Sequence, residues 1–181
     1  MPCNEPVDLF STGPGLLVYR EEFYPMHVNE IDFRSTPLLT LCTTATNAIA
    51  ELIDFSKAGL FDGTTSLEYA EYFNGAVLVA CQAYVVGTVA DINKMRVELG
   101  KSRLKKLDLY RQNSRVINGY TQVEFINALA NFFKHNEEWE SWPSNETTKA
   151  LQAFGIVEST AFHLHVGIQN ILGIQPIFAA L

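Results

Sequence analysis

The stretch FFKHNEEW, residues 132–139, places a histidine among side chains that could assist a proton transfer. An imidazole titrates near neutral pH, so His135 is the residue here best suited to act as a general acid or base. On a helical projection at about 100° per residue, His135 falls at the border of the apolar face, where Trp139 can cover it. Asn131 lies one turn earlier on the same side. We therefore predict His135 and Asn131 as a catalytic pair; the alternative is that His135 only completes the core edge.

Positive charge is concentrated in residues 101–115, which hold six Lys or Arg against one Asp, a net charge of +5. The whole chain has a formal net charge of −7, so the remaining residues carry −12. The acidic balance argues against general affinity for nucleic acid. The basic segment is either a solvated connection between helices or an anion site. For the anion site, the candidate residues are Arg111 and Arg115, together with Lys134 beside the histidine.

Other kinds of catalytic chemistry find little support. His163 and His165 are two residues apart on a predicted helix, about 200° in projection, so that helix cannot present both to one metal. The sequence has no HExxH, CxxC, GxSxG or GxxxxGK[ST] pattern. We predict neither a metal nor another cofactor. A small-molecule pocket near Trp139 and Trp142 is a further option, although a buried aromatic pair is more often plain core.

The cysteines and the apolar runs bear on location. The three cysteines are widely spaced and odd in number, which is typical of free thiols in a reducing compartment. The first ten residues lack the basic and apolar regions of a signal peptide. The most apolar run, residues 75–90, is shorter than the ~20 residues that cross a bilayer and is interrupted by Gln82. We predict a cytoplasmic protein without membrane contact.

Helical spacing of apolar residues dominates the first half of the chain after an unassigned beginning. It predicts one helix from Pro37 to near Gly59. A second helix, capped by Thr65 or Ser66, runs toward Gly100. The short loop between them makes the pair a long antiparallel hairpin.

Three shorter helices are predicted after the basic segment. Thr121 and Glu124 match the capping box that opens the first of them. The predicted helices cover 121–139, start near 145, and cover 158–173. No strand pattern appears, and 181 residues suit one domain. We predict an all-α bundle of about five helices over residues 37–181, preceded by an irregular N-terminal arm over residues 1–36.

A long helical hairpin followed by a helix with Asn-x-x-x-His resembles the HEPN superfamily, whose members are small all-α domains that often pair as dimers. The resemblance covers about residues 38–140. Many members are metal-independent ribonucleases of bacterial toxin–antitoxin and phage-defence systems. Their motif is an Arg, often followed by a polar residue, with four to six residues between the Arg and a His. The segment ANFFKH, residues 130–135, matches at Asn131 and His135, which implies that His135 helps to move the proton of a ribose 2′-OH.

The chain departs from this motif at the arginine. The three positions where the Arg would stand hold Ala128, Leu129 and Ala130. In the family's chemistry the Arg holds the phosphate charge, and losing such a group costs on the order of 10²–10³ in rate.

Two functions follow from this departure. The first is a degenerate, non-catalytic HEPN-like module that acts through protein partners, as a homodimer or with an immunity or antitoxin-like protein. The alternative is a metal-independent ribonuclease, or an RNA- or nucleotide-binding domain, that uses His135. In that case Arg111 or Arg115 supplies the cation, by folding back or from a dimer partner.

Overall fold

The structure is a computed structural model that describes residues 32–112 and 116–172. Within these residues the chain forms six α-helices, one 3₁₀ helix and a two-stranded antiparallel hairpin. The predicted all-α bundle is therefore confirmed, with one helix more than expected. Most of the predicted N-terminal arm, residues 1–31, lies outside the described residues, and so does Arg115.

Helices α1, Ser35–Lys57, and α2, Gly63–Glu98, form the predicted long hairpin. Gly59 ends the first helix with a φ of 72°, a left-handed conformation that glycine adopts without steric cost. The amide of Leu60 then donates to the carbonyl oxygen of Phe55, which closes the helix end.

The cap of α2 differs from the prediction. Asp62, in an extended conformation, accepts a hydrogen bond from the Thr65 amide at 2.9 Å. Thr65 is thus the third residue of the helix, and Ser66 is buried behind it. The carboxylate of Asp62 precedes the helix and can reach a free amide, whereas the Thr65 and Ser66 side chains already lie within the first turns.

The remaining elements are short. Their bounds are α3 Lys106–Arg111, β1 Val116–Ile117, β2 Tyr120–Thr121, α4 Gln122–His135, the 3₁₀ helix Asn136–Glu138, α5 Glu146–Ala153 and α6 His163–Leu172. The basic segment thus holds a helix, α3, and the β-hairpin after it turns on Asn118 and Gly119, both with positive φ. The last helix starts later than predicted, because Phe162 has a φ of 53° and cannot continue a right-handed helix from Glu158.

Helix α4 lies at the centre of the core, in contact with α2, α5 and α6. Phe125 and Leu129 are fully buried on its predicted apolar face, and the Phe125 ring stacks on Phe154 at 4.0 Å. Ala130 and Glu124 are also buried, although both fall outside the predicted apolar face. Three helices enclose α4, so burial extends beyond that one face.

Glycine sets the distance between α2 and α4. A Cβ atom added at Gly75 would stand 2.3 Å from ring carbons of Phe133, closer than real contacts allow. A Cβ atom added at Gly167 on α6 would likewise stand 2.6 Å from a methyl carbon of Leu129. These two positions need glycine for close packing.

The substitution Gly75→Ala tests this packing. Alanine is otherwise favoured over glycine inside a helix by about 1 kcal/mol, but overpacking against Phe133 should lower the free energy of unfolding by about 1–3 kcal/mol. Gly63→Ala is the control, since the nearest atom to its added Cβ is 3.9 Å away. Urea denaturation would measure both, and an unchanged or raised stability of Gly75→Ala would contradict the packing.

Candidate functional site

His135 is the last residue of α4. The prediction that this helix continues to Trp139 is wrong, because the chain tightens into the 3₁₀ helix directly afterwards. The imidazole is 51% exposed, and its Nδ1 lies 3.3 Å from the carboxylate oxygens of Glu138. The ring is therefore open to solvent and has an acidic neighbour.

Trp139 packs elsewhere than expected. Its ring meets Phe132 edge-on at 5.6 Å and Trp142 edge-on at 5.9 Å. Trp142 in turn stacks on His163 at 5.7 Å. Because the 3₁₀ turn changes the direction of the chain, the indole joins this aromatic cluster at the core edge.

Asn131 belongs to an amide network centred on Gln82 of α2. The ammonium of Lys134 donates to Gln82 Oε1 at 2.8 Å. Gln82 Nε2 donates to the Oδ1 atoms of Asn127 and Asn131, both at 2.9 Å. Since lysine can only donate, it fixes which end of the Gln82 amide faces which partner. Sequence reasoning treated Gln82 only as an interruption, although a lone amide in an apolar run has to find partners.

Arg111 is bound to Glu124. Its Nε and Nη2 donate to Glu124 Oε1 at 3.0 and 2.9 Å, and the second oxygen accepts from the Thr121 amide at 2.8 Å. The last contact completes the predicted capping box, which is confirmed. Burial alone would raise the pKa of Glu124, but the hydrogen bonds from Arg111 and Thr121 outweigh it and lower that pKa.

The predicted anion-binding cations thus have other partners in the described chain. Arg111 pairs with a carboxylate, and Lys134 serves the Gln82 network. With Arg115 outside the described residues, their joint action on an anion stays a prediction.

A cavity of about 330 Å³ lies between α3, α4 and α5. It brings together Arg111 and Asn131, two of the predicted site residues, together with Tyr110, Tyr120 and Asn127. His135 is not among the lining residues. The structure therefore separates the candidate catalytic pair: Asn131 faces the cavity and His135 faces solvent beside Glu138.

Two thiols face each other across the hairpin. Cys42 and Cys81 are both free and half-buried. Burial, and next the neighbouring Cys42, raise the pKa of Cys81 to about 11. A thiol with so high a pKa is a weak nucleophile at neutral pH, in agreement with the structural role expected for a buried cysteine.

Helices α1 and α2 are long and apolar enough to cross a membrane, judged by length and composition alone. In the most apolar window of each helix, 11% of the residues are buried inside the structure. The uncharged stretch of α2 covers residues 72–90 of one continuous helix, longer than the run measured on the sequence. The length of α2 therefore does not decide whether the helix crosses a membrane. The cytoplasmic location stays a prediction.

Comparisons with models of protein families, with curated proteins and with solved structures find no match for this chain. Across residues 32–112 and 116–172, no group of three or more His, Cys, Asp or Glu is placed to hold a metal ion. The fold and the site define an all-α bundle with a small cavity lined by amides and a paired arginine. The resemblance to HEPN domains stays a prediction.

The Arg111–Glu124 pair predicts a pH dependence of stability. Because folding lowers the pKa of Glu124 below its usual 4.5, the ionised pair stabilises the fold above that pH and is lost as the pH falls through the lowered value. Glu124→Gln should therefore cost about 1–2 kcal/mol at pH 7, and the cost should shrink in acid.

Denaturant unfolding at several pH values would measure the difference between Glu124→Gln and the wild type. Glu146→Gln is the matched control. Glu146 pairs with Lys149 on the exposed surface, so its loss should change the free energy of unfolding little. A difference for Glu124→Gln that is the same at pH 7 and at pH 3 would contradict the account.

Proposed function

We propose that this protein is a non-catalytic helical module, HEPN-like in arrangement, that acts by pairing with a second copy of itself. The observation that carries the proposal is an exposed, uncharged stripe along α2. This α2 stripe consists of Tyr69, Tyr72, Phe73, Ala76, Ala83, Val86 and Ala90. Residues three or four apart share one side of a helix, so these side chains form one surface.

The α2 stripe is too large to be ordinary surface. Tyr72 is 63% exposed and Val86 is 44% exposed. Single exposed apolar residues are normal on a folded protein, but contiguous ones mark interaction sites. Of the charged neighbours on this helix, Glu71 turns away and accepts hydrogen bonds from the amides of Leu164 and His165. Glu68 is exposed and lines a groove with Tyr72 at the hairpin end of the stripe.

An aromatic cluster at the hairpin tip extends the stripe. Phe61 meets Phe55 edge-on at 6.0 Å and Tyr69 edge-on at 6.1 Å. All three rings are more than a third exposed. Aromatic side chains supply much of the binding energy of protein interfaces, so the tip provides an anchor for a partner.

The dimensions suit a second copy. From Tyr69 to Ala90 the stripe is about 32 Å long at 1.5 Å per residue. With the tip cluster it offers on the order of 600 Å² per protomer, at the lower end of what stable interfaces bury. Residues 72–90 of α2 carry no charge, so two chains of net charge −7 can approach along this stretch without like charges on α2 facing each other. A twofold pairing of α2 with α2 buries the same stripe on both copies.

A lipid bilayer fits this surface less well. Gln82, midway along the uncharged stretch, is bonded to the exposed Lys134 on α4. Glu137 lines a groove with Tyr72 on the same side of the bundle. A bilayer around α2 would bring these charges to the depth of the hydrocarbon, where they are costly.

The charge partners also support a module without catalysis. Arg111, one of the two cations predicted to replace the missing motif arginine, and Lys134 beside His135 are each held by another side chain. Phosphate chemistry at His135 would need one of these two to leave its partner, or Arg115, outside the described residues, to supply the charge.

The substitution Val86→Glu should convert the dimer to a monomer, since it places two like charges in the twofold interface. Light scattering after gel filtration should give about twice 20.2 kDa for the wild type and 20.2 kDa for the variant. Val157→Glu is the matched control, because Val157 is 43% exposed, close to the 44% of Val86, but lies outside α2. It should remain dimeric.

Three outcomes would overturn the pairing. They are a monomeric wild type, a Val86→Glu variant that remains dimeric, and a wild type that sediments with phosphatidylcholine vesicles but is monomeric without them. The last would assign the α2 stripe to a membrane.

A metal-independent ribonuclease is the second candidate, favoured by the exposure of His135. Glu138 faces Nδ1 and can orient the ring, which leaves Nε2 for a substrate. We expect mixed RNA in EDTA to stay intact with the wild type. Cleavage that His135→Ala abolishes, with both proteins purified in parallel, would favour the nuclease instead.

A further inference from the structure

We propose that the cavity between α3, α4 and α5 binds a small organic monocarboxylate with an apolar body. Its volume of about 330 Å³ lies within the range of small-molecule sites. This inference is independent of the pairing through α2, because the cavity and the α2 stripe share no residue.

Two amide groups provide paired donors in the cavity. Asn127 and Asn131 are four residues apart on α4, so their side chains lie side by side. Both oxygens accept from Gln82, whose orientation Lys134 fixes. The NH₂ groups are therefore left over, and neither donates a hydrogen bond within the described parts of the chain. Two adjacent donors match the two oxygens of a carboxylate.

A buried hydroxyl also lacks a partner. Tyr110 lines the cavity and is 4% exposed, yet its hydroxyl has no hydrogen-bond partner among the residues that the structure describes. Buried polar groups are nearly always paired, so an unpaired one needs an explanation. The hydroxyl has no surface open to solvent, so a ligand oxygen would become its partner when the ring turns toward the cavity on binding.

The charges around the cavity favour a ligand that carries a single negative charge. Arg111 and Glu124 neutralise each other, and Glu146 pairs with Lys149. Lys106, whose ammonium lies 5.2 Å from the Tyr110 ring centre, makes no ion pair in the described chain. One uncompensated cation suits a carboxylate, whereas a phosphate would bring nearly two negative charges close to the two glutamates.

The cavity walls are largely apolar, which suits a ligand with an apolar body. The rings of Tyr110 and Tyr120 and the side chains of Leu107, Ala128 and Ala150 supply most of the lining that is not polar. A flat hydrocarbon or aromatic group can therefore lie against them while its carboxylate faces the amides.

Titration of the ¹⁵N-labelled protein with benzoate tests the proposal. Benzoate should shift the side-chain amide signals of Asn127 and Asn131 in a saturable way, and inorganic phosphate should bind at least tenfold more weakly. Asn131→Asp keeps an oxygen for Gln82 but replaces a donor by a charge, so it should weaken benzoate binding at least tenfold. Asn136→Asp adds the same charge outside this cavity and should bind like the wild type.

Tyr110→Phe provides a second measurement, since it removes the unpaired hydroxyl while keeping the ring. It should keep the backbone spectrum and bind benzoate several-fold more weakly. The proposal is overturned by an absence of saturable amide shifts with benzoate, by phosphate binding as tightly as benzoate, or by an Asn131→Asp variant that binds like the wild type.

Discussion

The arrangement of the bundle depends on one half-buried amide in an apolar helix. Gln82 lies in the uncharged stretch of α2, where a polar group without partners would be costly. Its hydrogen bonds reach Asn127, Asn131 and Lys134, all on α4. They hold α4 on α2 in one register, and Gly75 lets Phe133 approach closely in that register. Polar pairing and close packing thus select the same position for the central helix.

The same hydrogen bonds engage polar side chains that were predicted to form a functional site. Gln82 binds the oxygen of Asn131 and the ammonium of Lys134, two groups that the sequence pattern placed beside His135. The pair of Arg111 and Glu124 acts similarly at the start of α4. Polar groups that the sequence pattern assigned to a candidate site make hydrogen bonds between helices, and two of them, Arg111 and Asn131, line the cavity.

Helix α2 has two different faces. One face carries the bundle: Ala70, Asn74 and Leu78 are buried on it. The opposite face is the α2 stripe, which no other described element covers. A helix that is apolar on both sides has more apolar surface than its own domain can bury, and our proposal gives the second face to another copy of the chain.

Much of the fold could be predicted from the sequence, because helix caps and apolar spacing depend on residues close together in the chain. The capping box of Thr121 and Glu124 and the glycine at the end of α1 act within a few residues, so they could be recognised without the tertiary structure. The all-α class followed from spacing alone. The short hairpin at Asn118–Gly119 was missed because two-residue strands give no periodic pattern.

The surroundings of the candidate site residues could not be predicted from the sequence in the same way. The sequence placed Asn131 and His135 on one side of a helix, but which groups they face depends on residues about fifty positions away or on a change of helix type. Asn131 meets Gln82 from another helix, and α4 ends at His135, where Trp139 turns to pack on Phe132. The sequence by itself determined the helices and their caps, because those contacts are local. Only the tertiary structure decided which polar groups satisfy one another, because burial makes that choice among distant partners.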